Sequence, residues 1–129
     1  MSAHHESLAV AIARAHVEAW SNHDFDAARR GLASDVQVTS TTTQPIMKDV
    51  RTNGVDDYMR GLIAFAQGVL PGSARVLAST GDERNALLMV TVDGDLGAGK
   101  VELPAARLYR LDDDGKIQSE QVIFYAAGN

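Results

Sequence analysis

The sequence predicts an α+β domain: a cone-shaped, curved antiparallel sheet packed on three helices from the N-terminal side of the chain. Three observations predict it. Apolar residues recur at three- and four-residue steps over residues 8–20 and again over 58–66. The second half alternates apolar and polar residues in four segments, separated by glycine- and aspartate-bearing turns. The chain has 129 residues, which fits a single domain spanning 1–129 and leaves little room for a second.

The first helix is predicted from Ser7 to Asn22, because Leu8, Ala9, Ile12, Ala13, His16, Val17 and Trp20 make one stripe. Ser21-Asn22-His23 breaks it. Asp24 is a good N-cap for a short second helix, whose buried side is Phe25, Ala28 and Leu32. Asp35 to Thr43 is β-branched and alternating, so it reads as a strand. Gln44 to Gly54 reads as a loop, punctuated by Pro45 and Asn53-Gly54. A third helix runs from Val55 to Gly68, with Tyr58, Leu62, Phe65 and Ala66 on its apolar side. Leu70-Pro71-Gly72 ends that segment. Four strands follow at Ser73–Thr80, Asn85–Asp93, Val101–Leu111 and Ile117–Tyr125. Turns at Gly81-Asp82 and Asp114-Gly115 and a longer loop from Gly94 to Lys100 join them.

Composition narrows the function classes. The formal net charge of -5 and the lack of any Lys/Arg run disfavour nucleic acid. No apolar stretch approaches the roughly 20 residues of a membrane helix. Without cysteine there is no disulfide, thiolate nucleophile or zinc–cysteine site. Met1-Ser2-Ala3-His4-His5-Glu6 lacks the basic start and apolar core of a secretory signal. The expectation is a soluble, cytoplasmic protein that binds neither nucleic acid nor membrane, and the Ala-, Gly-, Asp- and Arg-rich composition fits a bacterial source. His4, His5 and Glu6 lie at the terminus, His23 lies in a turn, and no HExxH spacing occurs. No metal and no cofactor are therefore expected.

Three local patterns add a family resemblance. Trp20-Ser21-Asn22-His23-Asp24-Phe25-Asp26-Ala27, Leu32-Ala33-Ser34-Asp35-Val36-Gln37-Val38 and Tyr109-Arg110-Leu111-Asp112-Asp113-Asp114-Gly115-Lys116-Ile117 occur in that order. They resemble the first helix end, the first-strand entry and the last hairpin of the nuclear transport factor 2-like superfamily. Its members include ketosteroid isomerase, limonene epoxide hydrolase, scytalone dehydratase and the SnoaL-like polyketide cyclases. The resemblance implies a cystatin-like cone with an apolar pocket between the concave sheet face and the helices. It does not imply one reaction, because the superfamily does unrelated chemistry on this scaffold.

Carried over position by position, the resemblance to ketosteroid isomerase fails. Its oxyanion tyrosine falls on His16, its base on Ser40 and its oxyanion aspartate on Arg107. Serine without an adjacent base is a poor proton acceptor at neutral pH. Arg107 is similar to the arginine of limonene epoxide hydrolase, but Tyr109 stands where that family has an aspartate, and Glu120 would have to supply the carboxylate.

The last hairpin decides whether these residues meet. With a four-residue turn at Asp112 to Gly115, Leu111 pairs with Lys116, Tyr109 with Gln118 and Arg107 with Glu120. That face also carries Val122 and Phe124 and is expected to be concave, with Arg107 and Glu120 a buried pair below Trp20 and near His16. A one-residue slip would move one strand's set to the other face. The candidate catalytic residues are thus His16, as a general acid or base, with Arg107 and Glu120 as an anion clamp or water-activating pair. Candidate ligand contacts are Trp20, Ser40, Tyr58, Phe65, Met89, Tyr109, Val122 and Phe124.

The function expected is binding of a small apolar molecule, polyketide- or terpenoid-like, by a cofactor-independent cyclase, isomerase or hydrolase. The alternative is a noncatalytic binding or protein-interaction module. In the superfamily that this chain resembles, the convex sheet face commonly forms a homodimer; Leu108, Ile123 and Tyr125 fall on that face here.

Overall fold

A computed structural model describes residues 6–42, 50–95, 97 and 99–125. Helix α1 (Leu8–Ser21) starts where the Ser7 side chain accepts from the Val10 amide at 3.3 Å. It buries Ala9, Val10, Ala13, His16, Val17 and Trp20; of the stripe read from the spacing, Leu8 is exposed and Ile12 half-buried, and Val10 is buried in addition. Helix α2 (Phe25–Arg30) is capped by Asp24, whose carboxyl accepts from the Ala27 amide at 3.2 Å. Strands β1 (Leu32–Thr42) and β2 (Val50–Asn53) follow, then helix α3 (Val55–Ala66). Strands β3 (Arg75–Gly81), β4 (Asn85–Asp95), β5 (Lys100–Leu111) and β6 (Ile117–Phe124) complete the described elements.

The strands make one curved sheet in the order β2-β1-β6-β5-β4-β3. The four last strands form the expected antiparallel meander. The sheet is mixed, because β6 returns beside β1 and runs parallel to it. The concave face presents Val36, Val38, Ala86, Leu88, Val90, Val92, Ala105, Val122 and Phe124, all buried against α1 and α3. Here the hydrophobic effect is the main stabilising term.

Several boundaries differ from the sequence reading. The segment 44–54 contains strand β2, although its turn residues dominate it in the sequence; residues 43–49 lie outside the described residues. Gly54, at φ 89°, donates its amide to the Val36 carbonyl at 2.7 Å and turns the chain from β2 into α3. Leu32 belongs to β1 rather than to α2, and Gly94 is the penultimate residue of β4 rather than the start of a loop.

The register of the last hairpin also differs. Tyr109 lies opposite Glu120 rather than Gln118, and Arg107 lies opposite Val122 rather than Glu120. Leu111 pairs with Ile117, so the connection is one residue longer than a four-residue turn. A bulge between Arg110 and Leu111 adds a second residue on β6, where Gln118 is left over. Each shift alone would flip β6 to the other face; together they restore it.

Candidate functional site

The site lies where α1, α3, β5 and β6 meet. Arg107 projects from the middle of β5 and Glu120 from β6, each onto the concave face, with 4% and 3% of their surfaces exposed. They are diagonal neighbours across the pair rather than opposite residues, which long side chains can span. Arg107 Nη1 donates to Glu120 Oε2 at 3.3 Å. Either charge buried alone would be strongly unfavourable. The guanidinium carbon also lies 4.8 Å from the Trp20 ring centre and 5.8 Å from that of Phe124. These two aromatic faces give the cation a second form of stabilisation.

The other oxygen of Glu120 is held by α3. Tyr58, in the first turns of that helix, donates its hydroxyl to Glu120 Oε1. The Tyr58 oxygen is also 3.0 Å from His16 Nε2. Because the Tyr58 proton is directed at Glu120, the imidazole proton is assigned to His16 Nε2, which donates to Tyr58. A directional chain results: His16 to Tyr58 to Glu120, with Arg107 donating from the far side.

Burial lowers the pKa of His16; Glu120 opposes this and Arg107 adds to it, so the ring is neutral near pH 7. Burial raises the pKa of Tyr58, and the charge of Glu120 raises it further, so this phenol is a donor. The same two causes in the same order raise Tyr109. Burial works against the charge on Arg107, but Tyr109, Glu120 and Tyr58 outweigh it and raise its pKa. Four atoms around this chain lack a hydrogen-bond partner among the described residues: His16 Nδ1, Trp20 Nε1, Arg107 Nε and the Tyr109 hydroxyl. Tyr109 approaches Glu120 and Arg107, and His16 approaches the Ala28 carbonyl, without reaching hydrogen-bond geometry.

An apolar pocket of about 190 Å³ opens from Arg107 and Glu120. Tyr58, Gly61, Leu62 and Phe65 of α3 form one wall; Val38, Ser40, Thr52, Val122 and Phe124 form the sheet side. Of the residues picked out in the sequence, His16, Trp20, Arg107, Glu120, Tyr58 and Tyr109 are brought into one buried cluster. Ser40, Tyr58, Phe65, Val122 and Phe124 line the pocket. Trp20 and Tyr109 do not line it; they pack around the polar cluster instead.

Met89 is misplaced in the sequence reading. It pairs with Ala106 and alternates with the buried Leu88 and Val90, so it faces the outer side of the sheet. Thr52 is missing from that reading, because its strand reads as loop. His23 is spent on structure: it sits at φ 66° and its Nε2 donates to the Val69 carbonyl at 3.0 Å. His4 and His5 lie outside the described residues, while Glu6 pairs with Arg14. No helix among the described residues is long and apolar enough to cross a membrane.

Comparison with known proteins agrees with the fold. A protein of Kribbella flavida DSM 17836 superposes with a TM-score of 0.75 at 28% identity, over 92% of this chain and 88% of that one. An LEH-like epoxide hydrolase of M. tuberculosis gives a TM-score of 0.69 at 20% identity, over 91% and 82%. A protein with a ketosteroid isomerase-like fold from Catenulispora acidiphila DSM 44928, in complex with trimethylamine, gives 0.67 at 15% identity, over 86% and 82%. The latter two likenesses speak for the fold alone. No functionally curated protein matches the chain. The SnoaL-like domain matches residues 13–120, nearly the whole of the sheet and helices described above, and the chain therefore belongs to the SnoaL-like family within the nuclear transport factor 2-like superfamily.

Proposed function

We propose that this domain binds a small, mainly apolar molecule by an oxygen function and polarises that oxygen, without a cofactor, as an isomerase, cyclase or hydrolase would. The observation that carries this reading is the buried chain His16–Tyr58–Glu120–Arg107 at the end of an apolar pocket. Such a network is costly to bury unless every member is paired or used. Both Glu120 oxygens already accept hydrogen bonds, so the carboxylate is engaged within the protein. The donor that faces the pocket is Arg107, whose guanidinium gives Nη1 to Glu120 and has further N–H groups to offer. Donors fixed in a water-poor pocket suit the stabilisation of charge developing on a carbonyl or epoxide oxygen.

Size limits the ligand. A volume of about 190 Å³ is roughly that of six waters at about 30 Å³ each. It is below the usual range for drug-sized ligands. A monocyclic, terpenoid-sized molecule, or one end of a polyketide, suits it better than a fused-ring steroid.

The test is a thermal-shift screen of monocyclic ketones and epoxides against steroids and fatty acids. A ligand at about 100 times its dissociation constant adds roughly 2.7 kcal/mol, a rise of several degrees in melting temperature. The rise should vanish in Arg107→Ala. A panel with no hits, or hits that persist in that variant, would overturn the reading. Bound ligands that emerge unchanged would leave a noncatalytic binder, the alternative to an enzyme.

A second observation favours a homodimer. The outer sheet face carries Leu108 and Ile123, 38% and 37% exposed, beside an open cleft of about 670 Å³ lined by Leu87, Thr39 and Gln121 among others. A partner there would be a second copy of this chain, and light scattering after size exclusion tests it.

A further inference from the structure

Thr52 is the second residue from the end of β2 and pairs with Val38 across the β1–β2 ladder. Residues opposed in a ladder share a face, so its side chain projects onto the concave surface. It is 8% exposed and lines the apolar pocket. Its hydroxyl has no hydrogen-bond partner among the described residues. A strand hydroxyl in an apolar wall, buried and unpaired, is unfavourable for folding and calls for a partner that enters the pocket.

Its position says where that partner's atom must sit. Val38 pairs with Thr52 on one side and with Glu120 on the other. Thr52 and Glu120 therefore stand two strands apart in one row, about 10 Å between backbones. Between them the pocket is apolar, lined by Val38, Leu62, Phe65 and Val122. The pocket thus has a polar group at each end and none in the middle of that row.

We infer that Thr52 is a specificity-determining contact: its hydroxyl bonds a second oxygen on the ligand, at the end remote from Arg107. This rests on the proposed function above. The ligand class is then a compact skeleton with oxygens at opposite ends, such as a ring ketone bearing a hydroxyl across the ring. Ser40 also lines the pocket but is only half-buried, so water can satisfy it, and it is not under the same constraint.

The experiment is a titration of nitrogen-15-labelled protein with two probes, cyclohexanone and 4-hydroxycyclohexanone, followed by amide shifts. Wild type, Thr52→Val and Thr52→Ser are compared. Valine keeps the shape and removes the hydroxyl; serine keeps the hydroxyl. Wild type should bind the hydroxylated ketone tighter. Thr52→Val should weaken that probe by about 3–10-fold, the range of one ordinary hydrogen bond, and leave cyclohexanone unchanged. Thr52→Ser should retain the preference. An equal ratio of affinities in wild type and Thr52→Val would overturn the role of Thr52 while leaving the pocket reading intact. If neither probe shifts pocket amides in wild type, the proposed function falls and this inference with it. Should Thr52→Val not fold, Thr52→Ala supplies the same comparison.

Discussion

At the residue scale, Glu120 is the member of the buried chain on which the others depend. It accepts from Tyr58 on one oxygen and from Arg107 on the other. Removing it leaves a buried guanidinium without its counterion. Glu120→Ala should therefore destabilise the domain by about 3–5 kcal/mol, read by urea unfolding. An effect below about 1 kcal/mol would mean that the pair is no better than a surface one. His16 gives a second prediction with a definite sign. Its pKa is lowered by burial from an ordinary value of 6.5, so the unfolded chain takes up a proton there before the folded one does. Stability contributed by the neutral ring is complete well above the ordinary value of 6.5 and is lost as the pH falls below it. One such proton is worth up to about 1.4 kcal/mol per pH unit across that window. His16→Gln should flatten the slope whatever it does to the absolute stability, and an unchanged slope would place the titration elsewhere.

At the element scale, the β5–β6 connection holds the site together by two compensating irregularities. The longer turn and the bulge at Gln118 each shift β6 by one residue. Deleting Gln118 alone should turn Glu120 and Val122 outward and give a poorly folded or insoluble product. Deleting Gln118 together with the exposed turn residue Asp113 should recover a cooperative melt. Equal behaviour of the two deletions would show that the register is set elsewhere. Helix α3 offers the opposite kind of change. Gly61 lies at the pocket wall, and a methyl group added there would meet no atom within 4 Å, so Gly61→Ala should stabilise by about 0.5–1 kcal/mol in thermal or urea unfolding. Gly81 is its contrast: a methyl there would meet the Asn85 carbonyl oxygen at 2.3 Å and Val10 Cγ2 at 2.9 Å. Gly81→Ala should cost about 1–3 kcal/mol, because the β3–β4 turn is pressed against α1.

At the scale of the whole molecule, the long elements are legible in the sequence because their periodicity is sustained: α1, followed by the cap at Asp24, and the four strands of the meander. What cannot be read is whatever depends on the count of residues between elements. The hairpin register differs by two from the simplest turn, and His16, Arg107 and Glu120 still converge because an even shift preserves the face. Strand β2 is hidden, since four residues beside Asn53-Gly54 carry too little alternation to outweigh the turn signal, and Thr52 is hidden with it. Residue type alone puts Met89 in the pocket, and alternation along β4 places it outside. Assembly is the last property at this scale. A dimer through the outer face predicts that Leu108→Lys gives a monomer by light scattering with an unchanged melting profile at low concentration. A monomeric wild type at tens of micromolar would remove the dimer altogether. The stacking of Arg107 on Trp20 has a practical consequence as well. Trp20 is the single tryptophan of the chain, wholly buried, and it rests against the cation at the head of the pocket. The domain therefore carries an intrinsic optical reporter: any molecule that moves Arg107 changes the emission of the one indole, and occupancy can be followed by fluorescence with no label attached.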